Sequence, residues 1–269
     1  MPLKAKERHP ILRAFLAGED GSRPWFASVL NYSLAFLILS FVIYLSFATL
    51  TTREGWHAVS KSYIVFLDGW LVTVAISIVA LIASTAIGAL IALCRIGNIL
   101  ILRNLSRVYV EVIRGTPLLV QIYIFYFGIF HKMGIENCYV AGVLILSGFS
   151  GAYISEIIRA GIESVGKSQL ESARAIGLTP LQIYRFVIFP QTIRRILPPL
   201  AGEFASLIKN SSLLSVIGVN EFMQSAEGVN DNTFSTLESY FPLAVGYLIL
   251  TLPISLWSQS LEKKHKFET

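Results

Sequence analysis

The 269-residue chain is short of charge: 14% of its residues are Asp, Glu, Lys or Arg, whereas 54% are hydrophobic and the mean hydropathy is +0.63. A soluble domain carries about 25% charged residues. A water-facing surface cannot be assembled from so few charges, so the chain is read as an integral membrane protein. Cysteine is nearly absent, and Cys94 with Cys138 is too little for a disulfide framework or a zinc site. Histidine is scarce as well. His9, His57, His131 and His265 all fall in tails or loops, leaving no imidazole base at membrane depth for nucleophilic chemistry. Alternation of polar and apolar positions over ten-residue stretches is also missing, which excludes barrel strands. Helices remain as the way to satisfy backbone groups without water.

What the chain does have is apolar runs near 26–50, 69–94, 108–130, 138–160, 192–218 and 240–258. A helix of about 20 residues crosses a hydrocarbon core of about 30 Å, so all six qualify, although the third and fifth contain polar and proline breaks. The first run follows the polar tail of residues 1–25 and is longer than the apolar core of a signal peptide, which points to a retained helix. The basic residues set the orientation. With the N-terminus inside, inner segments hold Lys4, Lys6, Arg8, Arg13 and Arg23, then Arg95, Arg103 and Arg107. They continue with Arg159, Lys167, Arg174, Arg185, Arg194 and Arg195, and end with Lys263, Lys264 and Lys266. Outer segments hold only Arg53, Lys61 and Lys132, and the outer loop before the last run is acidic, with Glu221, Glu227, Asp231 and Glu238. Both tails (1–25 and 259–269) and the long 161–191 loop are therefore expected on the cytoplasmic side. Cys94 and Cys138 then sit at opposite boundaries, too far apart for a disulfide, and are expected as free thiols. The net charge of +5 is taken up by this asymmetry, and no nucleic-acid partner is expected.

Two short patterns invite catalytic readings. Gly161, Gly166, Lys167 and Ser168 match a phosphate-binding loop, but that loop functions between a strand and a helix, and here it follows a membrane helix. Gly148, Phe149, Ser150 and Gly151 resemble the nucleophile segment of intramembrane serine proteases, without a base at that depth. Small residues that let two helices approach closely explain the same pattern.

The 161–191 loop carries the most information. Ser168 and Glu171 have capping-box spacing, Gly177 suits a left-handed helix end, and Thr179, Pro180 and Gln182 begin another helix. A capped helix of about eight residues should project here, with Leu170, Ala173 and Ile176 on one side and Ala173 and Ala175 leaving room for a partner. The alternative is a helix lying on the bilayer surface, which the lack of bulky aromatic anchors leaves unexplained.

The run Glu171-Ser172-Ala173-Arg174-Ala175-Ile176-Gly177, with Val187 to Pro190 downstream, resembles the Glu-Ala-Ala loop of membrane subunits of binding-protein-dependent ABC importers. Ser172, Val187 and Phe189 depart from that pattern, while its spacing and Pro190 are kept. Further stretches are similar to the polar amino-acid branch of these type I importers, which handles histidine, glutamate, glutamine, arginine and opines. They are Tyr109-Val110-Glu111, Arg114 to Gln121, Gly151-Ala152-Tyr153 with Glu156, Arg159 to Ile162, Pro190-Gln191, Leu197 to Leu200, and Lys209 with Ser211 to Leu213. The resemblance covers about residues 69–258 and leaves 26–50 as an added helix; Gly166 and Ser168 stand where relatives carry Pro and Gly. It implies an all-α integral membrane protein of about six transmembrane helices, the last five forming an ABC type-1 (MetI-like) permease core with a cytoplasmic coupling helix. It also implies a second permease subunit, identical or homologous, a dimer of ABC ATPases, and an extracytoplasmic amino-acid-binding protein, in a bacterial inner membrane. ATP and Mg would sit on the ATPases, with no cofactor, metal or catalytic residue in this chain. Ser168, Leu170, Glu171, Ala173, Ala175 and Gly177 become the ATPase-docking set.

Glu111, Arg114, Glu156, Glu203 and Lys209 remain within or beside the runs. A charge at the bilayer centre costs about 2.5–3.5 kcal/mol, so these groups should face protein or a wet cavity unless they snorkel, as Glu111, Arg114 and Lys209 could. Glu156 is the hardest to dismiss. Arg114, Leu118, Gln121 and Phe125 share one face, and Gly115-Thr116-Pro117 interrupts that run, either as a broken helix with Thr116 capping the second half or as a proline kink. The candidate substrate pathway is therefore Glu156, Arg114, Gln121, Glu203 and Lys209. An ion-coupled carrier using Glu156 or Glu203 is the competing reading, and it gives the capped helix no task. Thr73, Ser77, Ala80, Ser84 and Gly88 form a small-residue stripe suited to helix packing.

Overall fold

A computed structural model describes residues 25–264, and among them every regular element is helical. The elements are α1 (Trp25–Leu50), α2 (Arg53–Ser60), α3 (Tyr63–Ile96), α4 (Leu100–Gly115), α5 (Leu118–Tyr123, widening into a π-helical stretch Ile124–Phe130) and α6 (Cys138–Glu163). Next come α7 (Lys167–Ala175), α8 (Pro180–Ile183, followed by a π-helical stretch Tyr184–Ile188), α9 (Phe189–Asn210, followed by a 3-10 stretch Ser211–Ile217), α10 (Phe222–Thr233) and α11 (Thr236–Lys264). The described residues divide into two units, with the boundary between His57 and Ala58. In the first, α1 exposes apolar side chains all round its described stretch, including Phe36, Leu37 and Tyr44, as a lone helix in lipid would.

By length and apolarity α3, α6 and α11 can each cross a membrane, and the α4–α5 pair makes a fourth crossing if taken together. The run at 192–218 is helical but less apolar than expected, because α9 carries Arg194, Arg195, Glu203 and Lys209. The run at 108–130 is not one helix. α4 and α5 meet at an angle of 111°, since Pro117 cannot continue the first helix and disfavours helical backbone at Thr116. The break is a true interruption rather than a mild kink, and Thr116 does not cap the second half: Pro117 is its N-cap, while the Thr116 hydroxyl donates back to the Val112 carbonyl at 2.9 Å.

The small-residue stripe is a packing seam. Thr73, Ser77, Ala80, Ser84 and Gly88 are buried, and α3 lies along α6. A Cβ on Gly88 would stand 2.6 Å from Ile154 Cγ2, and one on Gly151 2.8 Å from Ile87 Cγ2. Backbones approach this closely only where side chains are absent, which is how membrane helices gain dispersion energy without a hydrophobic drive. Around the seam Ile76, Leu118, Ile122, Leu146, Leu207 and Leu214 form the main apolar core. Cys94 and Cys138 are free thiols.

Glu221, one of the acids of the outer segment before the last run, is completely buried. It caps α10 by accepting from the Met223 and Gln224 amides at 2.9 Å each. It also accepts from the Tyr247 hydroxyl at 2.9 Å and the Thr73 hydroxyl at 3.3 Å. A helix N-terminus favours a carboxylate, and this one joins α3, α10 and α11 through a single side chain.

Candidate functional site

The loop between α6 and α9 folds as two capped helical pieces. α7 starts at Lys167 with Gly166 as N-cap, and no side chain caps it. The capping box expected from Ser168 and Glu171 does not form, because the helix begins two residues earlier, with Gly166 rather than Ser168 as N-cap, and leaves Ser168 inside its first turn. The other end follows the sequence. Gly177 has φ +82°, the Gly177 amide donates to the Arg174 carbonyl at 3.0 Å, and Leu178 donates to Ala173 at 3.1 Å. That pair of bonds is a Schellman ending, which asks for glycine at the left-handed position. Thr179 and Gln182 form the reciprocal capping box of α8.

α7 turns one side to its own chain and one outward. Ser168, Glu171, Ala175, Ile176 and Gly177 are exposed and Leu170 is half-buried. Ala173 is the exception among the docking candidates: it is buried, and with Phe186, Val187 and Gln191 it lines a groove between α7 and the segment after α8. Its small size serves close approach within the chain.

The second cluster of interest lies where α3, α4 and α6 meet. Glu156 is clasped by Arg95 and Arg159, and Arg114 Nη1 stands 3.9 Å away. Arg159 also pairs with Glu163 four residues on. Arg114 sits over the Tyr153 ring, 5.1 Å from its centroid, and its side chain stays 42% accessible. Glu203 on α9 faces Ser150 and lies in reach of the Arg114 charge. Glu203 Oε1 and the wholly buried Ser150 Oγ make no hydrogen bond. Three of the five pathway candidates, Arg114, Glu156 and Glu203, are thus brought together. Gln121 is elsewhere occupied: it is buried, and its amide donates to the Ile113 carbonyl at 2.7 Å and the Thr116 hydroxyl at 2.8 Å, bracing the α4–α5 break. Lys209 is itself exposed, between half-buried neighbours, and lines a separate cleft of about 300 Å³ with Ser212, Tyr240 and Tyr247.

Sequence reasoning counted Arg95 and Arg159 only as orientation charges and missed that they neutralise Glu156. For Arg95 the partner is 61 residues away, and no local spacing signals it. Arg159 offered a signal, since it lies three residues from Glu156, within reach on a helix.

Residues 84–266 match the family described as the binding-protein-dependent transport system inner membrane component. The chain is 37% identical over 203 residues to a probable glutamine ABC transporter permease protein of Bacillus subtilis (strain 168), covering 76% of this chain and 94% of that one. It is 35% identical to the glutamine transport system permease protein of Escherichia coli (strain K12), covering 78% and 97% of the two chains. Among solved structures, an amino acid ABC transporter with histidines superposes with a TM-score of 0.73 at 34% identity, over 80% of this chain and 99% of that chain. The inward-facing MetNI methionine ABC transporter has a TM-score of 0.62 at 17% identity, over 75% and 96%, and shares the fold. The chain therefore belongs to the binding-protein-dependent transport system inner membrane components, as a permease subunit of the polar amino-acid branch of type I ABC importers.

Proposed function

We propose that this permease carries a polar amino acid inward through a pore made with a second permease subunit, driven by two ATPase subunits that bind α7. ATP and Mg reside on those ATPases, so this chain contributes the path and the lever and no bond-breaking chemistry. A binding protein delivers the substrate on the outer side, and both tails and α7 face the cytoplasm, as the distribution of Lys and Arg supports. The relatives are named for glutamine, and a solved relative is titled for an amino acid ABC transporter with histidines. Arg114, Glu156 and Glu203 are the pathway residues we assign. A partly open guanidinium and a carboxylate oxygen without a partner suit the two ends of a zwitterion.

The observation that carries this reading is α7 itself: a nine-residue helix fixed at its end by Gly177, presenting Glu171 and a 77% exposed Ile176 outside the bundle. Glu171 and Ile176 together offer one charged and one apolar contact to a second chain. The test is Glu171→Lys in the complete transporter. The variant inserts into the membrane as the native chain does but loses co-purifying ATPase and ATP-driven uptake. Normal uptake by Glu171→Lys would remove α7 as the docking element.

A further inference from the structure

Two side-chain bonds hold α9 against the neighbouring helices, one to α7 and one to α6. The Gln191 amide donates to the Gln169 side-chain carbonyl at 2.7 Å, joining the first turns of α9 and α7. The Arg195 guanidinium donates to the Ser164 carbonyl, joining α9 to the end of α6. Ser164 is the C-cap of α6, so its carbonyl lies at the negative end of that helix, where a cation is favoured and the bond is charge-assisted. Just inside this tie, side chains of α9 pack directly on the bare backbone of Gly161. A Cβ on Gly161 would overlap the Ile196 Cγ2 and approach the Thr192 Cγ2 to 3.4 Å.

The tie is placed symmetrically. Glu156 lies eight residues before Ser164 on α6, and Glu203 eight residues after Arg195 on α9. At about 1.5 Å per residue each carboxylate is about 12 Å along its helix from the contact. We propose that the Arg195–Ser164 contact is a positioning joint that makes α6 and α9 move as one when α7 is displaced, so that Glu156 and Glu203 change their separation from the path together. This rests on the reading of α7 as the ATPase-docking lever. Without the joint, the lever still engages its motor, but α6 follows it through the chain and α9 through the Gln191–Gln169 bond, each separately, and strokes are wasted. Arg195 touches no pathway group in the described ion pairs; it acts through the helix ends it holds.

The experiment uses the whole transporter in proteoliposomes, and reads substrate moved per ATP hydrolysed together with the ATPase that co-purifies. Arg195→Gln removes the charge-assisted bond and should lower substrate moved per ATP by about tenfold, while ATPase association and hydrolysis persist. Arg195→Lys, which keeps a cation in reach of the carbonyl, should recover part of that loss. Arg194→Gln, an equal loss of charge at the exposed neighbouring position, should keep the native ratio. If Arg195→Gln fails to accumulate, Gln191→Leu tests the second tie and should lower the ratio in the same direction. An unchanged ratio in Arg195→Gln, or loss of the ATPase from it, overturns the joint. Absence of the ATPase from the native complex would instead overturn the docking reading.

Discussion

Replacing Gly177 isolates what the end of α7 contributes. The residue sits at φ +82° and a Cβ there would meet nothing within 4 Å, so a substitution introduces no clash. The penalty is conformational alone. A residue with a Cβ in the left-handed region costs about 1–2 kcal/mol, and asparagine less because its side chain bonds locally. A β-branched residue is worse off still. The same penalty loosens the bonds from Gly177 to Arg174 and from Leu178 to Ala173, and α7 frays into a population with a misdirected end. At about 1.4 kcal/mol per tenfold change, Gly177→Ala should reduce ATP-driven uptake about fivefold and Gly177→Val well over tenfold, with Gly177→Asn near native. Uptake is measured in proteoliposomes against equal amounts of inserted protein. If Gly177→Val transports like the native chain, or if the order Asn, Ala, Val does not appear, the rigid-lever argument is refuted.

Glu221→Ala should leave the Met223 and Gln224 amides and the Tyr247 and Thr73 hydroxyls without their acceptor. A destabilisation of about 2–4 kcal/mol follows, seen as a lower thermal midpoint in detergent; an unchanged midpoint would mean that water replaces the carboxylate at no cost. Glu227 on α10 has its pKa raised, first by burial and then by the Asp231 charge four residues on. A raised carboxyl pKa means that the folded state prefers the proton, so its favourable contribution is present at low pH and is lost as pH rises through the folded value. Glu227→Gln should therefore raise the thermal midpoint at about pH 8 and change it little at about pH 4; the reverse pattern would contradict the burial cause.

Much of this was legible in the sequence because it was local. Gly177 as a left-handed end and Thr179 as the cap before Pro180 read correctly, since helix ends are written in three or four adjacent residues. The same logic failed at Ser168, where Gly166 caps the helix two residues earlier, at a position that offers no side chain to betray it. The α4–α5 break was visible in Pro117, but its angle and the bracing by Gln121 depend on how the second piece lies against the core. Among the charges, Glu156 and Glu203 could be flagged by their cost in lipid, and Arg159 by its helical spacing from Glu156, yet the distant partners could not. Arg95 meets Glu156, and Thr73 and Tyr247 meet Glu221, across separations that only the packing of α3, α6 and α11 creates. Buried acids in loops look like exposed ones until the helix they cap is known.

The central claim is that force enters this chain through α7 from a separate ATP-hydrolysing subunit. The most direct measurement is amino-acid uptake by proteoliposomes holding the purified complex and its binding protein, with ATP loaded inside or with ATP depleted and an ion gradient imposed. Uptake that requires internal ATP and ignores the gradient is the expected result. Uptake that continues without ATP and follows the gradient would contradict it, and would hand Glu156 and Glu203 to an ion-coupled carrier.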